Sequence, residues 1–280
     1  MPTRPSYCSA ATRKTRSEIS SNTKTLSITA TKEPYSPTDY SPPHTTSPLN
    51  ERHRNKRLAA FRYLLALPRS LWYNFRLLPM RQAIHLPILI SHRTRMENLS
   101  GRIDLQADTL RIGLVKIGFN TYQHTYFHRD RTQVNLRGRW VLKGECAIGA
   151  GSCIHVGEQG VLTIGEKTNI GPKTLIICHH SIELDRQTQT SWSCTLMDTD
   201  QHRLVDEQGT WCNEDRPIHL GEGVWLGCHV IVAKGTSLAP YTTVGAGSVV
   251  HGKHEEPRTV LAGNPAQVVK RGVAREDFLV

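Results

Sequence analysis

The chain has 280 residues, with 35 Lys and Arg against 24 Asp and Glu and a formal net charge of +11. This length accommodates one sizeable domain with appendages, and the positive charge favours an acidic partner such as nucleic acid, a membrane surface or a phosphorylated small molecule. Nucleic-acid binding is disfavoured because the basic residues are scattered along the later part of the chain and match no recognition motif.

The cysteines and the apolar segments indicate the compartment. Seven cysteines, at positions 8, 146, 153, 178, 194, 212 and 228, are odd in number and include no Cys-x-x-Cys pair. This pattern argues against disulfides and structural zinc and favours a reducing environment. The sequence has no apolar run of the roughly 18 residues that a spanning helix needs, and no signal peptide with a hydrophobic centre opens it. We expect a cytoplasmic protein, at the inner face of the membrane if residues 57–90 bind there.

Residues 1–56 are rich in Ser, Thr and Pro and have almost no large aliphatic residues. Such a segment cannot bury enough apolar surface to offset the entropy of an ordered chain. We expect a disordered tail. Its acid-poor composition also resembles a transit peptide, which is a weaker interpretation than a tail or a start codon placed too early.

Residues 57–103 are predicted to form a basic, partly helical N-terminal cap. Residues 57–90 contain five Arg and no acid, with Leu58, Phe61 and Leu64 at helical spacing, and prolines at 68, 79 and 87 are expected to break the helix into short pieces. Two interpretations stay open. The favoured one is a cap over the open end of the domain that follows, and the other is peripheral contact with an anionic membrane through residues 57–90.

Residues 104–258 contain an internal repeat with a period of six. It is clear at Ile148 and Ile154, shifts phase around 157–161, and then resumes at Ile164, Ile170, Ile176 and Ile182. A later run places an aliphatic residue every six positions at Leu220, Leu226, Val232, Leu238, Val244 and Val250. A period of six fits neither a helix nor a simple strand.

Each hexad is interpreted as a short flat strand with its aliphatic residue inward, followed by a turn at which Gly or Ala is tolerated. Three strands make one triangular coil, and stacking of the coils buries the aliphatic columns. Burying one such side chain contributes roughly 1.5–3 kcal/mol. The pattern therefore predicts a mainly β protein, a parallel β-helix, and a chance spacing in an ordinary mixed sheet is disfavoured because a second slot of small residues keeps the same phase.

Residues 186–217 interrupt the repeat with a polar segment. Loops on a rigid scaffold are where catalytic residues are commonly found, so we predict an active-site loop at 186–217. A short C-terminal cap is expected at 259–280.

Four motifs occur in order: MDTDQH at 197–202, GVWLG at 223–227, GAGSVV at 245–250 and LAGNPAQVVK at 261–270. Together, on a six-residue repeat, they resemble the hexapeptide-repeat acyltransferases over roughly residues 60–270. The similarity is greatest to the maltose and galactoside O-acetyltransferase group, in the branch associated with bacterial surface-polysaccharide clusters. The resemblance implies a left-handed parallel β-helix, acetyl-CoA as the acyl donor and co-substrate, no metal, and a homotrimer that shares each active site between neighbouring subunits.

The resemblance assigns catalytic roles within the loop. His202 corresponds to the general base, and a neutral imidazole is suited to removing a proton from an acceptor hydroxyl as it attacks a thioester. Asp198 and Asp200 are expected to orient the imidazole or to hold the acceptor sugar. The alternative for both carboxylates is a solvated turn in which they bond to the backbone.

The resemblance also places the donor. Trp225 is expected to pack against the pantetheine arm of CoA, Cys228 and Ala246 to line the groove for that arm, and Lys270 to meet the nucleotide phosphates. Trp225 as an edge residue and Lys270 as a solvated charge are the alternatives. The chain has His251, Gly252 and Lys253 where many members of the family have Thr-Lys-Asp, and Ser193 and Gln201 also depart from the pattern, which leaves the exact sugar open.

The predicted function is transfer of an acetyl group to a hydroxyl of a sugar or surface polysaccharide. N-acetylation of an amino sugar stays open because an amine acceptor also needs a base. A non-catalytic β-helix scaffold is a further alternative, although the loop histidine and the AGNPA motif are both present. A zinc hydratase similar to the γ-type carbonic anhydrases is disfavoured because the histidine spacing does not match that family.

Overall fold

The computed structural model describes residues 48–119 and 130–276, and for residues 48–60 only the backbone is described. Two helices lie at the N-terminal end, α1 (Pro48–Leu77) and α2 (Met80–Ala83). Residues 48–56 are therefore helical, whereas the rest of the expected disordered tail, 1–47, lies outside the described residues.

The remainder of the described chain is built from short strands. In chain order these are β1 (Ile88–Ile90), β2 (Thr94–Glu97), β3 (Arg102–Leu105), β4 (Val115–Phe119), β5 (Thr132–Leu136), β6 (Arg139–Leu142), β7 (Cys146–Gly149), β8 (Cys153–Val156), β9 (Val161–Ile164), β10 (Thr168–Ile170), β11 (Leu175–Cys178), β12 (Ser181–Leu184), β13 (Gln189–Thr190), β14 (Thr195–Met197), β15 (Ile218–Leu220), β16 (Trp225–Leu226), β17 (Ile231–Val232), β18 (Ser237–Leu238), β19 (Thr243–Val244), β20 (Val249–Val250), β21 (Lys253–His254), β22 (Thr259–Gly263) and β23 (Ala266–Arg271).

Each strand up to β19 pairs in parallel with the strand three places further along the described chain. This pairing gives three parallel sheets. Sheet A has the order β1-β4-β7-β10-β13-β16-β19-β22-β23, sheet B the order β2-β5-β8-β11-β14-β17-β20, and sheet C the order β3-β6-β9-β12-β15-β18-β21. Three consecutive strands therefore complete one coil, and the prediction of a mainly β, parallel β-helix is confirmed. The left-handed sense stays the prediction that the family resemblance made.

Columns of aliphatic side chains form the core between the three sheets. Ile148, Ile170 and Leu226 from sheet A and Ile154, Ile176 and Val232 from sheet B are completely buried. The register confirms the columns, because Ile148 pairs with Ile170 and Ile154 pairs with Ile176. The six-residue spacing thus identified the inward-facing positions correctly.

The turns between strands explain why glycine follows many of the aliphatic residues. At Gly171 an added Cβ atom would lie 2.1 Å from the carbonyl oxygen of Ser191 in the next coil, so any side chain there would force the coils apart. Two residues further on, the turn passes through the left-handed region, with φ of 58° at Lys173 and again at the equivalent Ser193. A small residue at the first position of each turn therefore lets the turns of neighbouring coils stack.

The predicted loop boundary at 186 is wrong. Strands β13 and β14 continue the repeat through Met197, and the irregular segment is 198–217. The repeat was hidden because Thr190 takes the inward position between Leu184 and Leu196. Its hydroxyl is buried without penalty because the N–H of Gly171 donates to Thr190 Oγ1 at 2.8 Å.

The first coil begins at Ile88, so β1, β2 and the start of β3 occupy residues that were expected to belong to the cap at 57–103. Ile88 and Ile90 are buried two residues apart on β1. Ile90 and Met96, which pair with Ile117 and Val134 of the next coil, are six residues apart, but a single interval of six does not indicate a repeat.

Helix α1 runs through Pro68 and is not broken there as expected. Because proline has no backbone N–H, Pro68 cannot donate to the carbonyl of Leu64. Both residues are exposed, so water can bond to that carbonyl instead. None of the described helices is long and apolar enough to cross a membrane.

Helix α1 covers the free edge of β1 by side-chain hydrogen bonds. The buried Asn74 donates from Nδ2 to the Ile88 carbonyl at 2.7 Å and accepts from the Ile88 N–H at 3.1 Å. The N–H of Ile90 donates to Ser70 Oγ at 2.9 Å. These two polar side chains satisfy backbone groups that a neighbouring strand would otherwise satisfy.

At the other end of sheet A, β22 and β23 form an antiparallel hairpin joined by a cis Asn264–Pro265 bond. The hairpin occupies most of the segment 259–280 that was expected to be a C-terminal cap. Residues 277–280 lie outside the described range.

We predict that Thr190→Val lowers the free energy of unfolding by about 1–3 kcal/mol, because valine fills the same volume but leaves the buried N–H of Gly171 without its acceptor. Urea denaturation at fixed protein concentration measures the change. Thr243→Val, on the outer face of β19, is the matched control and should be close to neutral. If Thr190→Val were as stable as the wild type, the hydroxyl would have no structural role.

Candidate active site

The segment that carries the predicted catalytic residues, 198–217, connects β14 to β15 at the corner where sheet B meets sheet C. Other turns are stacked at this corner, at 157–160, 179–180, 233–236 and 251–252. The loop at 198–217 is therefore one long turn in a column of short ones. Neighbouring turns on both sides are available to hold it.

Asp198 anchors the base of the loop. The side chain is completely buried, and its carboxylate accepts hydrogen bonds from the backbone N–H of His179 at 2.7 Å and of His180 at 2.8 Å. Its backbone carbonyl accepts from the N–H of Arg216 at 3.0 Å, which brings the two ends of the loop together. Both carboxylate oxygens are engaged by the preceding turn and not by the His202 imidazole, so this geometry suits a positioning role.

Asp200 ties the loop to the following coil. Its Oδ2 accepts hydrogen bonds from Lys234 Nζ at 2.5 Å and from Asn213 Nδ2 at 2.8 Å. The bond from Lys234, followed by that from Asn213, lowers the pKa of the Asp200 carboxyl from its usual value. The carboxylate therefore stays ionised at neutral pH, and the pair with Lys234 is maintained.

The side chain of Asn213 links the two sides of the loop. The sequence analysis did not identify this residue. Its Nδ2 also donates to the His202 carbonyl at 2.8 Å, while its Oδ1 accepts from the Leu204 N–H at 2.7 Å and from Trp211 Nε1 at 2.8 Å. An Asn side chain can donate and accept at once, which suits it to this role. Asn213 lies 11 residues after His202, and this spacing does not indicate a contact. In the sequence Lys234 could not be distinguished from a solvated lysine.

The outer part of the loop is a small hairpin. Val205 and Trp211 form an antiparallel bridge, and the carboxylate of Asp206 accepts from the N–H groups of Gln208 and Thr210 at the tip. The guanidinium of Arg203 lies 4.5 Å from the centre of the Trp211 ring. The loop is therefore ordered by its own contacts as well as by its base.

His202 lies where the base of the loop gives way to this hairpin. Its backbone is fixed through its carbonyl, while the residue is exposed. Within the part of the chain that the structure describes, no hydrogen bond or ion pair engages the imidazole. Both ring nitrogens are therefore open to an acceptor molecule, as a general base requires.

The predicted donor residues lie elsewhere, on sheet A and at the corner between sheets A and B. Trp225, on the outer face of β16, donates from Nε1 to Ser191 Oγ at 3.3 Å and is 37% exposed. The Cys228 carbonyl accepts from the Gly247 N–H at 2.8 Å, and Ala246 is exposed in that adjacent turn. The surface of these two turns, which we call the donor step, is lined by small side chains and backbone.

Lys270 lies on the same register row as Trp225. The row runs from Trp225 through Thr243 and Val260 to Lys270, which is three strand spacings, or roughly 14 Å. Lys270 is exposed at the edge of the sheet. The structure thus brings the predicted donor residues onto one side of the coil.

The two sets of predicted residues do not meet within one chain. The loop with His202, Asp198 and Asp200 is at the corner between sheets B and C, whereas Trp225, Cys228 and Ala246 are on sheet A or at the corner between sheets A and B. The strands of sheet B lie between these two corners. In the described residues, no group of three or more His, Cys, Asp or Glu side chains is arranged to hold a metal ion.

Comparison with known proteins identifies the family. The chain is 30% identical over 175 residues to the lipopolysaccharide biosynthesis O-acetyl transferase WbbJ of Escherichia coli K12, a provisional assignment, and the alignment covers 62% of this chain and 69% of that protein. The chain therefore belongs to the hexapeptide-repeat acetyltransferase family, as the motifs predicted. No protein-family model matches the sequence.

Two further similarities are more limited. A provisionally assigned acetyltransferase of Staphylococcus aureus strain COL is 42% identical over 55 residues, or 20% of this chain, and the chain spans 27% of the length of that relative. A solved structure of AntD, an N-acyltransferase from Bacillus cereus in complex with dTDP and coenzyme A, has a TM-score of 0.34 at 16% identity and covers 68% of this chain and 83% of that one.

We predict that Asn213→Ala loosens the loop without unfolding the coil. Removing four side-chain hydrogen bonds should speed backbone amide exchange at residues 201–212 by about 10-fold or more, while exchange in the buried strands stays unchanged. Hydrogen exchange followed by mass spectrometry measures both. Gln208→Ala, at the tip of the same hairpin, is the control, and equal exchange in the two variants would contradict the role of Asn213.

Proposed function

We propose that this protein transfers an acetyl group from acetyl-CoA to a hydroxyl of a sugar or surface polysaccharide, with His202 as the general base. The observation that carries the proposal is an exposed imidazole that has no partner among the described residues and is held on an anchored loop at the corner of a hexapeptide-family coil. The name of WbbJ, a relative whose alignment covers 62% of this chain, supports a polysaccharide acceptor.

The chemistry assigned to His202 is a proton transfer. The neutral imidazole accepts the proton of the acceptor hydroxyl while the oxygen attacks the thioester carbonyl, and the imidazolium then returns that proton to the departing CoA thiolate. The C–S bond breaks as the new C–O bond forms, so the acetyl group passes directly to the acceptor. The thioester supplies an activated acyl group, and the loop supplies the base.

Asp198 and Asp200 are assigned as positioning residues. Asp198 fixes the base of the loop to the preceding turn, and Asp200 fixes it to Lys234 of the following turn. Asn213 links this base to the backbone of His202. A general base must be placed within hydrogen-bond distance of its substrate, so loosening any of these contacts reduces turnover.

The residues proposed for the donor fit a long, flexible molecule with phosphates at one end. Trp225 offers an exposed aromatic face, the turns at Cys228 and Ala246 offer small side chains and backbone, and Lys270 offers a cation about 14 Å from Trp225. An extended pantetheine arm spans such a distance. The same residues would bind the co-substrate and take no part in proton transfer.

The separation of these two sets of residues supports a homotrimer with shared sites. Because one chain holds the base and the donor residues at different corners, a complete site requires the loop of one subunit beside sheet A of another. The later strands of sheet B, between the two corners, present Ile177, Met197, Ile231 and Val249 outward with no charged residue among them, which suits a subunit contact.

We predict that His202→Ala lowers turnover by about 100-fold or more and leaves CoA binding intact, because the base is lost but the donor residues remain. Thiol release from acetyl-CoA measures turnover, with the unacetylated surface glycan of a deletion strain as acceptor, and isothermal titration measures CoA affinity. His219→Ala, on the outer face of sheet C, is the control.

Unchanged turnover in His202→Ala would remove that residue from the mechanism, and the absence of CoA binding in the wild type would favour a scaffold. Mass spectrometry of the glycan gives the acceptor atom. Returning the gene to the deletion strain should restore the acetyl group. If mild alkali then removes that group, it is an ester, whereas an alkali-stable acetyl group would favour N-acetylation.

We predict that two inactive variants complement each other if the site is shared. His202→Ala removes the base, and Ala246→Trp fills the donor step with a bulky side chain. When subunits are mixed in equal amounts and reassembled, about a quarter of the sites should regain both functions. Light scattering checks the trimer, and mixtures that stay as inactive as each variant alone would place the whole site in one chain.

A further inference from the structure

Helix α1 presents an apolar surface that faces away from the coil. The fully buried side chains of α1 are small or polar, namely Ala66, Ser70 and Asn74, and Tyr73 and Leu77 are partly buried against the core. On the opposite side the helix exposes large apolar residues, which we name the outer face of α1: Phe61, Leu64, Pro68, Leu71, Trp72 and Phe75. Leu64 is 61% exposed and Trp72 is 68% exposed, which is unusual for side chains of this size.

Cationic residues accompany this face. Between residues 52 and 96 the sequence contains nine Arg and one Lys and no Asp or Glu. Arg62, Arg69 and Arg76 are spaced by seven, so they lie on one flank of α1 between the outer face and the buried side. The lowered pKa of His92 reflects burial and also the nearby Arg93, Arg62 and Arg69, which shows a local excess of positive charge.

We infer that the outer face of α1, with its Arg flank, binds the surface of a lipid bilayer that contains anionic lipids. A helix with an apolar face, aromatic side chains and basic residues at the boundary is suited to lie in the interfacial plane, with its apolar residues among the acyl chains and its cations at the headgroups. Each such cation adds to binding through the negative surface potential of the bilayer.

The charge distribution favours a bilayer over a second copy of the chain. Two outer faces packed together would bring the Arg flanks near one another, and the segment 52–96 offers no carboxylate to pair with them. An anionic lipid surface supplies both the apolar environment and the opposite charge. The contacts of Ser70 and Asn74 with β1 leave the outer face free, so the helix can cap the coil and bind the bilayer at once.

Vesicle co-sedimentation of the full chain tests this inference. The expected result is binding to vesicles of phosphatidylcholine with phosphatidylglycerol, little binding to phosphatidylcholine alone, and release as the salt concentration rises. Trp72→Ala with Phe75→Ala should weaken binding by about 10-fold or more through lost apolar burial. Arg62→Glu with Arg76→Glu should do the same through the reversed charge.

Matched controls separate a specific surface from general charge and apolar area. Ile112→Ala removes an exposed apolar side chain outside α1, and Arg131→Glu with Lys253→Glu makes the same change in net charge on the coil. Both should bind as the wild type does. No binding to the anionic vesicles, or equal loss in the controls, would overturn the inference.

Light scattering tests the alternative that a second copy of the chain binds the outer face of α1. If the wild type ignored vesicles and Trp72→Ala with Phe75→Ala lowered the molar mass, the face would join subunits and the bilayer proposal would be wrong. Because the readout is vesicle binding, this test is independent of acetyl transfer and succeeds or fails separately from the proposed function.

Discussion

The parallel pairing of each strand with its counterpart one coil away is the constraint on which this structure depends. Pairs such as Leu175 with Thr195, and Thr195 with Ile231, keep the same position of every coil in line. This alignment stacks the aliphatic columns, and it also stacks the turns at each corner. A long insertion at one corner therefore starts and ends on fixed backbone, with a turn above and a turn below to bond to.

The loop uses both neighbouring turns. Asp198 reaches back to the turn at 179–180, and Asp200 reaches forward to Lys234, so two carboxylates of one short motif are tied to different coils. Such anchoring at both sides explains how an irregular segment of this length presents one imidazole in a defined place. The family motif therefore has a structural role as well as its proposed catalytic one, since its aspartates anchor the loop and the imidazole of His202 has no partner among the described residues.

The repeat period and the motifs predicted the coil, the family and the position of His202 on a loop. They failed at Thr190, where a hydrogen-bonded polar residue replaces an aliphatic one, and in the first coil, where Ile90 and Met96 provide only one six-residue interval. Pro68 misled because the cost of proline in a helix depends on solvent access to the preceding turn. Asn213 and Lys234 could not be found because most of their partners are distant in sequence.

The two ends of sheet A are finished in different ways, by Asn74 and Ser70 of α1 at one end and by an antiparallel strand at the other. A stack of identical steps has no intrinsic length, since a bare terminal strand can template the next copy and seed a fibre. Two side chains that imitate the backbone of a neighbour bond the N–H and C=O of Ile88 and the N–H of Ile90, so that edge offers fewer groups to a further strand. The N-terminal helix thereby keeps a potentially endless architecture discrete.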